Sequence, residues 1–447
     1  MDNKVISIAA PEAVGGVYIR FGKQPTAWNV NFNDGGEQKC GQNGFINEYV
    51  SFSGEVRMFS MSFPGKFYIS EISILSKGDK LPSFVQTWRP AKGECDVLLN
   101  VCHAGDESLF FAGVLPDAVN RGAEVQVCLF TNHWNTQSRT REMLNALWTS
   151  GVTRYPVISP YPDTYFTRSE AEALEGIGHE VPGVTYASIV EYETELLRKF
   201  KPQIVITHDE NGEYGHGAHM LASHAMRDAV EAAPDSTKFP SSANKYGTWE
   251  VKKVYIHLLE QNGIDFESDV PLEKFGGQTA FAVSQEAMKC HASQKETTYY
   301  KWLFGGEAGG VTLSTQLTTY SPRKFGLWRS AVGDDTVKKD FYEHTALSGG
   351  ADEPTPEPTA EPTAEPTEPA ETPEPTEPAK TAAPVTQAPT AEPTAEPTEP
   401  AESTAEPTAA PAQPVDDKLP SPVLIFMIIL ALLAAAGVAI HFIIKYN

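Results

Sequence analysis

The sequence predicts an α/β fold with a mainly parallel sheet, preceded by a small β-sandwich and followed by a disordered stalk and a C-terminal transmembrane helix. Three observations predict it. From Glu94 onward strand-like and helix-like runs alternate, the signature of an α/β layer fold. The first 90 residues hold only short aromatic and β-branched runs. The C-terminal part divides into a Pro/Thr/Glu/Ala tract and one long uncharged apolar run. The expected boundaries are 1–92 for the sandwich, 93–347 for the α/β domain, 348–419 for the stalk and 420–447 for the anchor.

In the N-terminal part, VGGVYIRFG, VNFN, NEYVSFS, VRMFSMSF and YISEISILS read as strands punctuated by Gly, Asn and Pro. FPGKFYISEISILSKGD resembles the closing part of discoidin-type or jelly-roll carbohydrate-binding modules. Trp28, Tyr49 and Trp88 are therefore candidates for sugar stacking, although core packing is the commoner use of such aromatics.

The α/β part reads in order. CDVLLNVCH is a buried strand, SLFFAGVLPDAVNRGA a helix and EVQVCLFTN a second strand. TREMLNALWTSG is a helix closed by Gly, YPVIS a short strand, and SIVEYETELLRKFKP an amphipathic helix with a Pro stop. QIVITHD, HMLASHAMRDAVEAA and VKKVYIHLL follow as strand, helix and strand. In such sheets functional residues gather in loops at the carboxyl ends of strands. His103–Glu107, Thr131–His133 and His208–His219 all fall there.

The tail accounts for most of the charge. Acidic residues number 58 against 35 basic ones, a formal net of −23, and the stretch 352–416 alone carries 13 Glu and 2 Asp against Lys380. The remainder is mildly acidic with no basic stripe, which excludes nucleic acid as a partner. PTAEPTAEPTEPAET (358–372) recurs almost unchanged at 389–403, and proline with repelling charge implies an extended spacer. VLIFMIILALLAAAGVAIHFII (423–444) would span about 33 Å as a helix, enough for a bilayer core. The expected topology is a single-pass membrane protein with the catalytic part outside. MDNKVISIAAPEAVGG has too short an apolar run for a signal peptide. That topology therefore implies an incomplete or processed start, the alternative being a tail anchor facing the cytosol.

The five cysteines show no CxxC spacing. Cys102 and Cys128 read as core residues, and a Cys40–Cys95 pair is left open. GGEAGG (305–310) lacks the strand–helix context and lysine of a phosphate loop and reads as a flexible loop.

Two segments carry the chemistry: His103-Ala-Gly-Asp106-Glu107 after the first α/β strand, and HDENGEYGHGAH (208–219) running into a helix. His103, Asp106 and His219 make a two-imidazole, one-carboxylate set that suits zinc. Three protein ligands leave a coordination position open, the catalytic arrangement. His216 and His219, three apart at a helix start, share a face. His133 and His208 flank the same cleft and read as loop or supporting residues, and His179 and His224 as surface or helix residues.

In these motifs, and in RGAEVQVCLFTN, RTREMLNAL, KPQIVITHDENGEYGHGAH and HASQ (291–294), the chain resembles the PIG-L/LmbE-like zinc-dependent N-acetylglucosamine deacetylases over roughly 95–300. The resemblance implies a Rossmann-like deacetylase domain, a Zn2+ cofactor and an N-acetylated amino-sugar glycan or glycoconjugate as partner. It implies His103, Asp106 and His219 as zinc ligands, and His216 as the histidine that stabilises the oxyanion and protonates the leaving amine. Tyr214, Arg139 and Asp163 match substrate-contacting positions, with Arg141 an equally plausible register for Arg139. The departures are Ala104 for Pro, Gly105 at the general-base position and Ala218 where an Asp commonly orients the catalytic histidine. A positioned general base is worth about 10²–10⁴-fold. The expectation is a metal-binding deacetylase of reduced activity, unless Glu107, Asp209 or Glu213 takes the proton. A catalytically degenerate glycan-binding surface protein is the alternative.

Overall fold

The computed structural model describes residues 3–164 and 166–348. Of the stalk expected at 348–419 the described residues include only Ser348, whose hydroxyl donates to Asp96, and the apolar run at 423–444 lies outside them. No described helix is long and apolar enough to cross a membrane.

Five strands open the chain: β1 (Asn3–Phe21), β2 (Trp28–Phe32), β3 (Glu37–Cys40), β4 (Asn47–Pro64) and β5 (Ile69–Ser76). They hydrogen-bond into one antiparallel sheet, β3-β2-β4-β1-β5, rather than the two facing sheets of a sandwich. The Gly-marked breaks that suggest turns are irregularities inside two long strands. The β1–β4 register shifts between Ala9 and Val14 and again before Gly16. Pro11, which has no N–H for the ladder, lies in the first shift. β4 runs unbroken through Gly54. Side chains from both halves of these strands share one core, with Trp28 stacked on Phe63 at 5.2 Å. Trp28 and Trp88 are buried, so both serve packing rather than sugar stacking.

The second sheet holds β6 (Val97–Val101), β7 (Val125–Leu129), β8 (Val157–Ile158), β9 (Ile204–Thr207), β10 (Lys253–His257), β11 (Gly263–Asp265) and β12 (Lys324–Ser330). Their order is β11-β12-β10-β9-β6-β7-β8. The five strands from β10 to β8 are parallel, and β12 and β11 add an antiparallel edge absent from the sequence reading. Every residue of β6, β7, β9 and β10 is buried, as expected of strands covered on both faces. The helices are α1 (Asp106–Leu109), α2 (Val114–Asn120), α3 (Gln137–Thr149), α4 (Glu170–Glu180), α5 (Tyr186–Phe200), α6 (Gly217–Ala232), α7 (Pro240–Tyr246), α8 (Ala280–Lys289) and α9 (Thr298–Leu303).

The single helix expected at 108–123 is two pieces, α1 and α2. Gly113 takes φ 99°, and a Cβ there would lie 2.5 Å from that of Ser268. The break is set by a distant neighbour, so no local periodicity announces it. By contrast α5 forms as its sequence dictates. A Thr185/Ser188 capping box starts it, Ile189, Glu193, Leu196 and Phe200 face inward, and Lys201 in the left-handed region ends it before Pro202. Arg198 on its buried face donates to the carbonyls of Ala232, Ala233, Asp235, Lys238 and Phe239, pinning the α6–α7 connection.

The chain builds outward from β6 through β7 to β8, then returns to the other side of β6 as β9. That reversal opens a crevice at the carboxyl ends of β6 and β9, where α/β sheets bind ligands. The five-stranded sheet packs beside this layer. Tyr155 Oη accepts from the Ile46 amide at 3.1 Å, and Gln86 bridges Asn47 and Asn145. All five cysteines are free thiols, so Cys40 and Cys95 are not paired.

Candidate metal centre

β6 delivers the chain into a tight loop at the crevice. Gly105 adopts φ 115°, a left-handed value that side chains rarely tolerate, and Asp106 then folds back to accept the His103 amide at 2.8 Å. β9 delivers His208 on the neighbouring strand end. The following loop leads into α6, whose N-cap is His216: its Nδ1 accepts the Ala218 amide at 3.1 Å. His219 sits in the first turn behind it.

These elements bring His103, Asp106 and His219 together. His103 Nδ1 lies 3.0 Å from His219 Nε2 and 3.3 Å from Asp106 Oδ2, and His219 Nε2 lies 3.4 Å from the same oxygen. A tetrahedral zinc ion with bonds of about 2.0–2.1 Å requires ligand atoms about 3.3 Å apart. The triangle fits. Its three members are buried and its corners are electron-pair donors, an arrangement that a shared proton or a cation stabilises. Burial pushes His219 down to about 4, with His208 adding to the effect, so its imidazole is neutral at pH 7. Burial works against charge on Asp106 as well, but His219 and His103 outweigh it and hold the carboxyl below its usual range.

Cys102 and His208 also lie within reach of these atoms. Both are otherwise engaged. His208 Nε2 accepts the Cys102 amide at 2.8 Å, and burial pushes the Cys102 thiol well up, leaving it protonated.

Behind the triangle stands Glu213, fully buried. Its Oε2 meets His219 Nδ1 at 2.6 Å and His208 Nδ1 at 2.8 Å, while Oε1 meets His257 Nδ1 at 2.6 Å. A carboxylate on Nδ1 fixes the tautomer that leaves Nε2 for a metal. Sequence reasoning offered Glu213 as a proton acceptor and missed this hub, and it missed His257 altogether. The signal was present: His257 ends β10 as His103 and His208 follow β6 and β9, at adjacent strand ends.

The triangle opens into a cavity of ≈ 230 Å³ lined by His103, Gly105, Asp106, Arg139, Asp163, Tyr214 and His216, among others. Arg139 donates to the Ala104 carbonyl at 2.6 Å and lies 3.5 Å from Asp163. Arg141 instead reaches Ser70 and the Phe21 carbonyl, away from the cavity. The structure thus brings Arg139, not Arg141, to the site. Asp163 lies 3.6 Å from His103 Nε2 and 3.3 Å from His133 Nδ1, and His133 Nε2 accepts the Ala104 amide at 3.1 Å. Tyr214, at φ 51°, stacks on Tyr299 with ring centroids 4.2 Å apart. Burial, then His103 and His219, push His216 far down, so it is neutral at pH 7.

Of the acids weighed as replacements for the base, Glu107 accepts the Gly105 amide at 2.7 Å and holds His291 Nε2 at 2.7 Å. Glu213 serves three imidazoles. Asp209 caps the next turn by accepting the Asn211 amide and does not line the cavity. Besides Asp106, the carboxylate that does line it is Asp163.

Residues 98–230 match the family model described as PIG-L: GlcNAc-PI de-N-acetylase. One relative, the 1D-myo-inositol 2-acetamido-2-deoxy-alpha-D-glucopyranoside deacetylase of Geodermatophilus obscurus, is 42% identical over 66 residues, 15% of this chain and 21% of that protein. The mycothiol S-conjugate amidase of Streptomyces coelicolor is 43% identical over 65 residues, 14% of this chain and 22% of that protein. The chain thus spans about a fifth of the length of these two relatives. The N,N'-diacetylchitobiose deacetylase of Pyrococcus horikoshii aligns with 52% of this chain and 83% of its own at 14% identity and a TM-score of 0.36. The segment that supplies both motifs, residues 98–230, is a PIG-L family domain.

Proposed function

We propose that this chain is a zinc-dependent deacetylase of N-acetylglucosamine-type amino sugars, with activity reduced by Gly105. It is held at a membrane by the C-terminal apolar run, with the catalytic part outside. The observation that carries the proposal is the His103–Asp106–His219 triangle at the floor of a cavity that also presents His216 and Arg139. A zinc ion held by those three residues would supply a Lewis acid that polarises an amide carbonyl and acidifies water.

The chain's own residues do the rest. His216 accepts the Ala218 amide through Nδ1, so its proton sits on Nε2, where it donates to an oxyanion developing on the amide. Arg139, held between Ala104 and Asp163, orients sugar hydroxyls at the cavity wall. Tyr214 and Tyr299 form an aromatic side against which the sugar ring packs.

What is weakened is proton removal. Gly105 offers no side chain, and Glu107 and Glu213 are committed to histidines. A loss of about 10²–10⁴-fold relative to a site with a base follows. Acetate release from N-acetylglucosamine conjugates, abolished by a chelator and by His219→Ala, is the expected result. Zinc-loaded protein that turns over no acetylated glycan rejects the enzyme and leaves the second reading, a glycan-binding protein with a degenerate centre. Gly105 favours that reading, which requires glycan binding to survive His216→Ala.

A further inference from the structure

Where the five-stranded sheet meets the α/β layer, two clefts of ≈ 340 and ≈ 250 Å³ share Trp134 and Gln24 as lining residues. Trp134 is half-buried in the loop between β7 and α3, next to His133, which supports the metal loop. A single residue, Thr140, separates Arg139, in the metal cavity, from Arg141, in the larger cleft. The start of α3 therefore forms the wall between the metal cavity and this seam.

The charged residues that line the seam are all basic. Acids outnumber bases in the chain, and Arg20, Lys77, Arg89, Arg121 and Arg154 each lie within salt-bridge distance of a carboxylate. The clefts are lined by Lys23, Lys92 and Arg141 and by no Asp or Glu. Arg141 meets only neutral oxygens, those of Ser70 and the Phe21 carbonyl, and Lys23 faces the ring of Tyr68 at 4.8 Å. Among the described residues none of the three forms an ion pair. Around them Gln24, Asn43, Asn135 and Thr140 supply amide and hydroxyl groups, and Trp134 supplies an aromatic face. Cations without acids, neutral hydrogen-bonding groups and an indole suit a sugar that carries an anion.

We infer that this seam is a second saccharide site that takes an anionic sugar, the acidic neighbour of the N-acetylated residue in the metal cavity. The inference rests on the amino-sugar reading of that cavity and narrows its substrate to acidic oligosaccharides or glycoconjugates. It also gives the N-terminal sheet a role through Lys23 and Gln24 rather than through its buried tryptophans.

The test is calorimetric titration of the full chain, with chelator present to prevent turnover. The two probes are a tetrasaccharide of alternating N-acetylglucosamine and glucuronate and a neutral N-acetylglucosamine tetramer. The chain is expected to bind the acidic probe at least about tenfold more tightly. Lys23→Ala/Lys92→Ala should remove that preference and leave the neutral probe's affinity unchanged, while Trp134→Ala weakens both. Equal affinity for the two probes, or a preference that persists in the double lysine variant, overturns the inference. Inorganic phosphate that binds as tightly as the acidic probe and displaces it overturns the saccharide assignment, making the seam a bare anion site. Acetate release measured without chelator tests the cavity separately: lysine-dependent acidic preference without release removes the deacetylase and keeps the seam site.

Discussion

The two motifs that meet at the candidate metal centre are held in opposite ways. His103 and Asp106 are fixed by main chain: a left-handed Gly105, the His103 amide on Asp106 and the Gly105 amide on Glu107. His219 is fixed by side chains, through a buried Glu213 that also grips His208 and His257. The first half is a local loop that substitution at one position can change. The second is a relay spread over the ends of β9 and β10 and the first turn of α6, in which one carboxylate satisfies three rings. Gly105 gives the first half no side chain at that turn, while the second half stays fully bonded through Glu213.

Breaking the relay has the largest expected effect. Glu213→Ala leaves buried imidazole N–H groups without their acceptor, and denaturant unfolding should show a loss of about 3–5 kcal/mol. Zinc titration should show affinity down about 10–100-fold, with Glu213→Gln intermediate. Wild-type zinc affinity in the alanine variant would mean that the relay positions nothing.

Acid titration of metal-free protein comes next. His219 is held near 4 in the fold, against about 6.5 unfolded, so the unfolded chain binds more protons between those values. Stability therefore falls as pH drops through that window, by about 3 kcal/mol from this group. Asp106 and Glu213, both held low, extend the loss further into acid. His208 runs the other way: burial pushes it down, but Glu213 outweighs this and raises it. Melting temperatures that are flat from pH 7 to pH 4 would break the assignment of His219 as a neutral donor.

Gly105→Asp sharpens the comparison on the first half. A side chain at φ 115° costs about 1–3 kcal/mol. The space itself is adequate, since a Cβ would lie 3.8 Å from His291. Gly105→Ala should lose similar stability, so the ratio of turnover between the Asp and Ala variants isolates the carboxylate. A ratio of about 10² or more is expected from a restored base. A ratio near one would place the defect elsewhere. The smallest stability effect belongs to Tyr214→Phe, which keeps the stack on Tyr299. It should shift unfolding by no more than about 0.5 kcal/mol while lowering kcat/KM.

Much of the α/β layer was legible because its signals are local. Buried apolar strands, capped amphipathic helices and polar residues at strand ends are read within a window of neighbours, which is how His103, Asp106, His216 and His219 were found together. Local reading failed where a distant contact decides. Gly113 splits a helix because Ser268 sits against it, and the glycines and proline of the first strands mark irregularities rather than turns because β1 and β4 continue through them. The late strand β12, the His291 partner of Glu107 and the His257 partner of Glu213 come from far along the chain.

By itself the sequence determined which candidate donors the chain carries and in what order, since donor chemistry lies in residue type. Only the tertiary structure decided what holds each acid. Glu107 meets His291, Glu213 meets His208, His219 and His257, and Asp163 lies beside His133 and Arg139, and the fold sets those partners. Packing likewise buried Trp28 and Trp88, the commoner of the two uses open to them, and set Trp134, Lys23 and Arg141 along one seam, a placement that no single stretch of chain encodes.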